Sequence, residues 1–270
     1  MPTANTPAQA TPAASRRVVL VTGAARRMGR SIALELAAAG WDVAVHHRDS
    51  NAEAQQTCAD LAVLGARAHV FAADLADDAA TRALLPQVLA AFGQADAVVS
   101  NASLFEYDAA TSFSAETAAR HYRVNTIAPV LLAQALYEHV QARGAQGCVV
   151  NLLDQKLWNP NPDYFSYTLS KAALREATTL LAQALAPTLR VVGVAPGVTL
   201  PSGPMNAAEF ATAHGLTPLS RSSTPQDIAE AVRYVLGARA ITGTTLLVDG
   251  GQHLAAQARD VLYLAREQAD

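Results

Sequence analysis

The stretch Val18-Val19-Leu20-Val21-Thr22-Gly23-Ala24-Ala25-Arg26-Arg27-Met28-Gly29-Arg30 decides the fold. Its four leading apolar residues predict a buried strand, and the stripe Met28, Ile32 and Leu36 predicts a helix that stops near Gly40. Between them Gly23 permits a tight strand-to-helix turn and Gly29 permits close approach of a ligand. Free N–H groups and the helix dipole at that point suit a pyrophosphate. A glycine pair alone is an ordinary βα turn; its place between the first strand and first helix of a domain is what gives it weight.

The alternation of strand and helix continues outward from this turn. Further strands are predicted at Val43 to Val45, Ala68 to Phe71, Ala97 to Val99, Cys148 to Leu152, Val191 to Val194 and Thr245 to Val248, with Ala/Leu-rich helical stretches between them. Together with Val18 to Val21 they predict a single-domain α/β fold: a doubly wound, parallel, seven-stranded sheet with helices on both faces. The domain is expected to span 16–270, since α/β chains of this length commonly enclose one core. Residues 1–15, rich in Ala, Thr and Pro, lack the basic start and apolar run of a signal peptide and read as a disordered tail. A Pro-, Gly-, Ser- and Thr-rich stretch at about 197–225, weakly helical at Ala207 to Ala213, follows the sixth strand. It is placed to be a substrate lid, the alternative being a surface excursion. Another helix is expected after Thr224-Pro225, with Asp227 in its first turn.

Composition narrows the partners. A net charge of −3 gives no basic footprint for nucleic acid or anionic membrane, which leaves small molecules as ligands. Cys58 and Cys148 are too few for a disulfide framework or a structural metal site, so no metal is expected and a cytoplasmic setting fits. No apolar run approaches the roughly 18 residues of a membrane span.

The second strand ends in His46-His47-Arg48, where an enzyme using NAD carries a carboxylate for the ribose 2′-hydroxyl. Its absence, with Arg26 and Arg48 available for a 2′-phosphate and His47 beside them, favours NADPH. Arg48 also reads as a solvated arginine whose field Asp49 blunts. Asp74-Leu75 and Asn101-Ala102-Ser103 follow the third and fourth strands at the same edge of the sheet. Asp74 either meets the adenine amino group or caps a turn.

Tyr167 and Lys171 lie four residues apart in a stretch of good helix formers, hence on one helix face. A tyrosine that exchanges a proton near neutrality needs a cation to favour its phenolate, which Lys171 and the nicotinamide supply.

In order and kind, Thr22 through Gly29, Asp74, Asn101-Ala102, Asn125, the residue at 154, Tyr167, Lys171 and Pro196-Gly197 resemble the motifs of the short-chain dehydrogenase/reductase family, a Rossmann-type fold. The resemblance covers essentially everything after the tail. It implies that Tyr167 is the proton donor, that Lys171 binds the nicotinamide ribose and lowers the tyrosine pKa, and that Asn125 holds a water of the relay. It further implies that Met28 and Pro196-Gly197 border the cofactor, and that the chain assembles as a homotetramer or homodimer.

The departures narrow the likeness. Asp154 stands where most of the family has a serine, Arg30 replaces the last glycine of the turn, and Ser103 replaces the glycine after Asn101-Ala102. With Arg26-Arg27-Met28-Gly29-Arg30-Ser31-Ile32-Ala33, these are similar to the pteridine reductase branch. By that similarity Phe105 stacks on a pterin ring, Ser103 touches cofactor and substrate, Arg27 reaches phosphate and substrate, and Asp154 and Tyr167 serve the ring nitrogens. Phe105 reads equally as a core aromatic. Trp158 is expected to wall the substrate pocket or to pack at a subunit contact, and Val261, Leu262 and Leu264 form a possible interface stripe in a C-terminal extension. The expectation is an NADPH-dependent reductase of a C=N bond in a pterin or dihydrofolate-like ring. The alternatives are a carbonyl or 3-oxoacyl reductase of the same family, which calls for a serine at 154, and a non-catalytic NADPH sensor, which has no need of Asn125, Tyr167 and Lys171 together.

Overall fold

Strand β1 (Val18–Val21) is wholly buried, and its side chains divide between two cores, Val19 and Val21 on one face and Val18 and Leu20 on the other. That division is why its sequence is apolar at every position rather than alternating. A computed structural model describes residues 16–267; the predicted tail at 1–15 lies outside the described residues. Six further strands complete an all-parallel sheet with β1: β2 (Asp42–His47), β3 (Ala68–Ala72), β4 (Ala97–Ser100), β5 (Gly147–Leu152), β6 (Leu189–Pro196) and β7 (Thr245–Val248). Their order is β3-β2-β1-β4-β5-β6-β7. The chain therefore leaves β1 in one direction through β2 and β3, then returns to β4 on the other side. The crevice where the direction reverses lies beyond the carboxyl ends of β1 and β4.

Helices α1 (Arg27–Ala38), α2 (Asn51–Val63) and α8 (Pro225–Gly237) cover the face of Val19 and Val21. Helices α3 (Asp78–Phe92), α5 (Ala128–Ala142) and α6 (Phe165–Ala184) cover the face of Val18 and Leu20. α8 starts as Thr224-Pro225 predicts, with a reciprocal Thr224/Asp227 capping box. β2 and β6 run past their predicted ends. His46 and His47 pair with Phe71 and Ala72 across the ladder, so the strand survives where its apolar pattern has stopped.

Between α4 (Ala115–Tyr122) and α5 the helix continues through a π-helical segment, Arg123–Ile127, which carries Asn125. Such wide turns accommodate an extra residue and often mark functional sites. The 197–225 stretch contains α7 (Ala207–Gly215), which packs on α9 (Val261–Glu267). Val261 and Leu262 are buried there among Met205, Phe210 and Ala213 of the same chain. The possible interface stripe is thus largely spent within the chain, and the C-terminal extension is the partner of the long loop after β6. Among the described residues no helix is long and apolar enough to cross a membrane, and no cluster of potential metal ligands occurs.

Candidate active site

The turn after β1 closes on itself through side chains from β2 and β4. Gly23 N donates to His46 Nδ1 at 3.1 Å, and Asn101 Nδ2 donates to Thr22 O at 2.8 Å and to Gly23 O at 3.2 Å. A Cβ on Gly29 would stand 2.1 Å from Gly23 O and 2.6 Å from Asn101 Nδ2. Gly29 therefore serves the packing of helix against turn, where the sequence suggested approach of a ligand. Arg30 turns away to α2, where it meets Asp60 at 2.6 Å, so replacing the family's last glycine leaves the turn itself intact.

At the start of α1 the preceding residue, Arg26, makes no side-chain cap and the first turn holds no acidic residue. Its N–H groups are left to an external acceptor, the usual anion site at a helix N-terminus. A cleft of about 430 Å³ opens in front of it. Every residue predicted for the nucleotide end lines that cleft: Gly23, Arg26, Arg27, Met28, Gly29, His47, Arg48, Asp74, Leu75, Asn101, Ala102 and Ser103. Among the residues to which the sequence reading assigned no role, His46 and Ser50 line it as well. His46 uses both ring nitrogens, one accepting from Gly23 N and the other donating to Ala73 O at 3.1 Å, and burial lowers its pKa to about 4. Ser50 precedes α2 and caps it with no side-chain hydrogen bond, so its hydroxyl is uncommitted there. His47 is buried with neither ring nitrogen partnered. Arg48 is exposed and paired with Asp49 at 2.6 Å, and Asp74 Oδ1 accepts from Ala76 N at 2.9 Å, the turn-capping alternative.

A second cleft, about 290 Å³, joins the first at Arg27, Met28 and Ser103. Phe105, Asp154, Tyr167, Pro196 and Gly197 line it. β5 delivers Asp154, α6 delivers Tyr167, and the two meet: Tyr167 Oη donates to Asp154 Oδ2 at 2.8 Å. Burial first, then the charge and hydrogen bond of Asp154, push the tyrosine pKa well above its ordinary value. This reverses the expected lowering by Lys171. That lysine is buried behind the tyrosine, 5.9 Å from the ring centroid, with Nζ donating to Leu152 O at 2.7 Å and its own pKa brought down to about 8 by burial.

Asn125 also departs from expectation. Its Nδ2 donates to Leu104 O and Ser170 Oγ, both at 2.9 Å, and its Oδ1 accepts from Leu104 N at 2.8 Å and Ser103 Oγ at 3.2 Å. Two donors and two acceptors exhaust an amide, so it ties the loop after β4 to the helix of Tyr167 rather than holding a water. Phe105 stacks on Tyr164, with centroids 4.1 Å apart and planes 17° apart, and meets Tyr167 edge-on at 4.7 Å. Trp158 stands beside Arg175 and lines neither of these two clefts. Arg27 joins the two ends: at φ +55° it aims its guanidinium at Pro201 O, 2.6 Å away in the loop after β6. A non-glycine residue held at such φ is over-determined by its surroundings, often at a functional site.

Asp108 was missed. Its carboxylate accepts from Ser166 N at 2.9 Å and from Ser166 Oγ at 2.5 Å, fixing the start of α6 one residue before Tyr167. Gln155, Lys156, Gln252, Gln257 and Asp260 of the second cleft were missed too.

The short chain dehydrogenase family model matches residues 17–213. The FolM alternative dihydrofolate reductase 1 of Brucella canis, solved with NADP, superposes with a TM-score of 0.86 at 40% identity, covering 91% of this chain and 97% of that one. Pteridine reductase 1 of Leishmania tarentolae is 31% identical over 88% of this chain and 96% of its own length. An acetoin dehydrogenase of Salmonella typhimurium, YohF, superposes with a TM-score of 0.82 at 27% identity over 91% of this chain and 99% of that one.

Proposed function

The chain belongs to the short chain dehydrogenase family, and within it we propose a reductase that uses NADPH to reduce a C=N bond of a pterin or dihydrofolate-like ring. The observation that carries the proposal is the 2.8 Å hydrogen bond from Tyr167 Oη to Asp154 Oδ2 in the second cleft. A carbonyl reductase wants two donors on the carbonyl oxygen, and an ionised Asp154 offers none. A ring nitrogen and its neighbouring N–H want a donor and an acceptor side by side, which Tyr167 and Asp154 provide.

The first cleft suits NADPH by the chemistry of its lining. The uncapped α1 N-terminus fits the pyrophosphate; Arg26, Arg48, Ser50 and the two unpartnered nitrogens of buried His47 fit the adenosine 2′-phosphate side. Bound there, NADPH supplies the hydride. The FolM neighbours solved with NADP support this choice.

The chain's own residues manage the proton. With its pKa held high by burial and Asp154, Tyr167 stays a neutral phenol and donates its proton to the ring nitrogen as the adjacent carbon is reduced. The C=N bond becomes CH–NH, and the phenolate formed at Tyr167 is stabilised by the Lys171 ammonium behind the ring. Asp154 accepts a hydrogen bond from the substrate and fixes its orientation. The loop at 197–225, held to the nucleotide turn through Arg27 and Pro201, acts as the lid that keeps water from the second cleft. Phe105, anchored on Tyr164, lends an aromatic edge to a flat substrate.

NADPH oxidation by the purified protein against a dihydropterin, dihydrofolate and a 3-oxoacyl ester tests the reading. Turnover of the pterin or folate, falling by about 100-fold or more in Tyr167→Phe, is the expected result. Turnover of the ester alone would overturn it.

A further inference from the structure

The residues beyond Gly251 look surplus to the fold, as does the loop after Asp154, yet the two segments are built into each other. Asn159 Nδ2 donates to Ala255 O, and Asn159 Oδ1 accepts from Gln257 N at 3.2 Å. Asp163 takes a bidentate contact from Arg259, Nε at 2.8 Å and Nη2 at 3.0 Å, and accepts from Asp260 N at 2.8 Å. Lys156 Nζ donates to Asp163 O at 2.5 Å and lies 3.7 Å from Asp260 Oδ2. These contacts fix the C-terminal segment as one wall of the substrate cleft, which Gln155, Lys156, Gln252, Gln257 and Asp260 line together.

Two side chains of that wall are incomplete. Gln252 is 1% exposed; its Nε2 is turned toward Gln257 Oε1 at 3.4 Å, and its Oε1 has no donor among the described residues. Gln155, 7% exposed, likewise has an unpartnered Oε1. A buried acceptor without a donor destabilises the fold unless something outside the chain satisfies it. Lys156, the nearby cation, is already engaged by Asp163 O and Asp260. The wall therefore holds two buried acceptors that no donor among the described residues satisfies.

We propose that the composite wall of residues 155–163 and 252–261 determines substrate specificity, with Gln252 and Gln155 accepting hydrogen bonds from the N–H donors of an aminopyrimidine-type ring. This assignment rests on the pterin reading of Asp154 and Tyr167. A simple ketone carries no such donor and leaves both oxygens unsatisfied, whereas a 2-amino-4-oxopyrimidine edge carries an amino group and a ring N–H. The site discriminates by the penalty of an unpaired buried acceptor.

The test crosses a substrate change with a side-chain change. KM and kcat are measured with NADPH for a dihydropterin and for its 2-desamino analogue, using the wild-type protein, Gln252→Leu and Gln155→Leu. The wild type should favour the amino compound by about tenfold, carried by KM, and each leucine variant should erase part or all of that preference. Should Gln252→Leu fail to fold, Gln155→Leu decides the matter. Equal losses on both compounds, or an undiminished preference in a folded variant, would overturn the wall while leaving the pterin reading in place. A wild type that reduces ketones and no pterin would overturn both.

Discussion

At the nucleotide end, the contacts that shape the cleft come from the ends of neighbouring strands and the turns after them: Gly23 with His46, Asn101 with Thr22, Gly29 against Gly23. At the substrate end the cleft is closed by long segments after β5, β6 and β7, with contacts between residues 96 to 98 positions apart in sequence. The first end is held by short-range bonds of His46 and Asn101 to the backbone of the turn and has little room for change. The second is held by side chains on long connections, which can vary without disturbing the sheet. One fold can thus keep a single cofactor site while its substrate site changes.

Substitution at Gly29 breaks the first end most severely. A methyl group there must displace Gly23 O or the start of α1, so Gly29→Ala should weaken NADPH binding by about 100-fold or more, read by fluorescence titration, even if the protein remains folded. Near-normal affinity would show that the turn is more compliant than its packing implies.

Acid should loosen the same end. His46 is neutral in the folded chain with its pKa lowered to about 4 from an ordinary 6.5, chiefly by burial. Below pH 6.5 the unfolded chain takes up a proton that the folded chain refuses, so the stability present above pH 6.5 is lost as pH falls toward 4. The loss amounts to about 3 kcal/mol in denaturant titrations across that window. His46→Asn should flatten the acid limb of the curve, and an unchanged slope would remove His46 as its source.

The smallest effect belongs to the substrate end. Arg259 holds Asp163 from an exposed position, so Arg259→Met should raise KM for the substrate about threefold and leave NADPH affinity as it was. A drop in NADPH affinity would show that the two ends are coupled more tightly than their construction suggests.

The same contrast sets what the sequence makes legible. The seven strands, their parallel arrangement and the lining of the nucleotide cleft follow from short contiguous patterns, because a βα turn puts its chemistry next to the strand that positions it. Tyr167 is legible from its four-residue spacing to Lys171 on one helix face, and Asp154 through the resemblance to a family that carries a serine at its position. The pairing of 155–163 with 252–261 leaves no local pattern: Asn159 and Asp163 look like ordinary loop residues until Ala255, Gln257 and Arg259 are brought to them. Residue roles inferred by position alone also miss saturation. Asn125 is where the family pattern puts it, yet its amide is fully used in tying the loop of Ser103 to α6. The direction of the Tyr167 shift depends on burial and on Asp154 at 2.8 Å, and sequence spacing carries neither.

The central claim is that Asp154 beside Tyr167 selects a ring nitrogen over a carbonyl oxygen. It is tested most directly by the ratio of kcat/KM for a dihydropterin to that for a 3-oxoacyl ester, in the wild type and in Asp154→Ser. The account predicts a wild-type ratio well above one that falls by about 100-fold or more in the variant, since the serine restores a donor for a carbonyl and removes the acceptor for an N–H. A ratio below one in the wild type, or one that Asp154→Ser leaves unchanged, would contradict it.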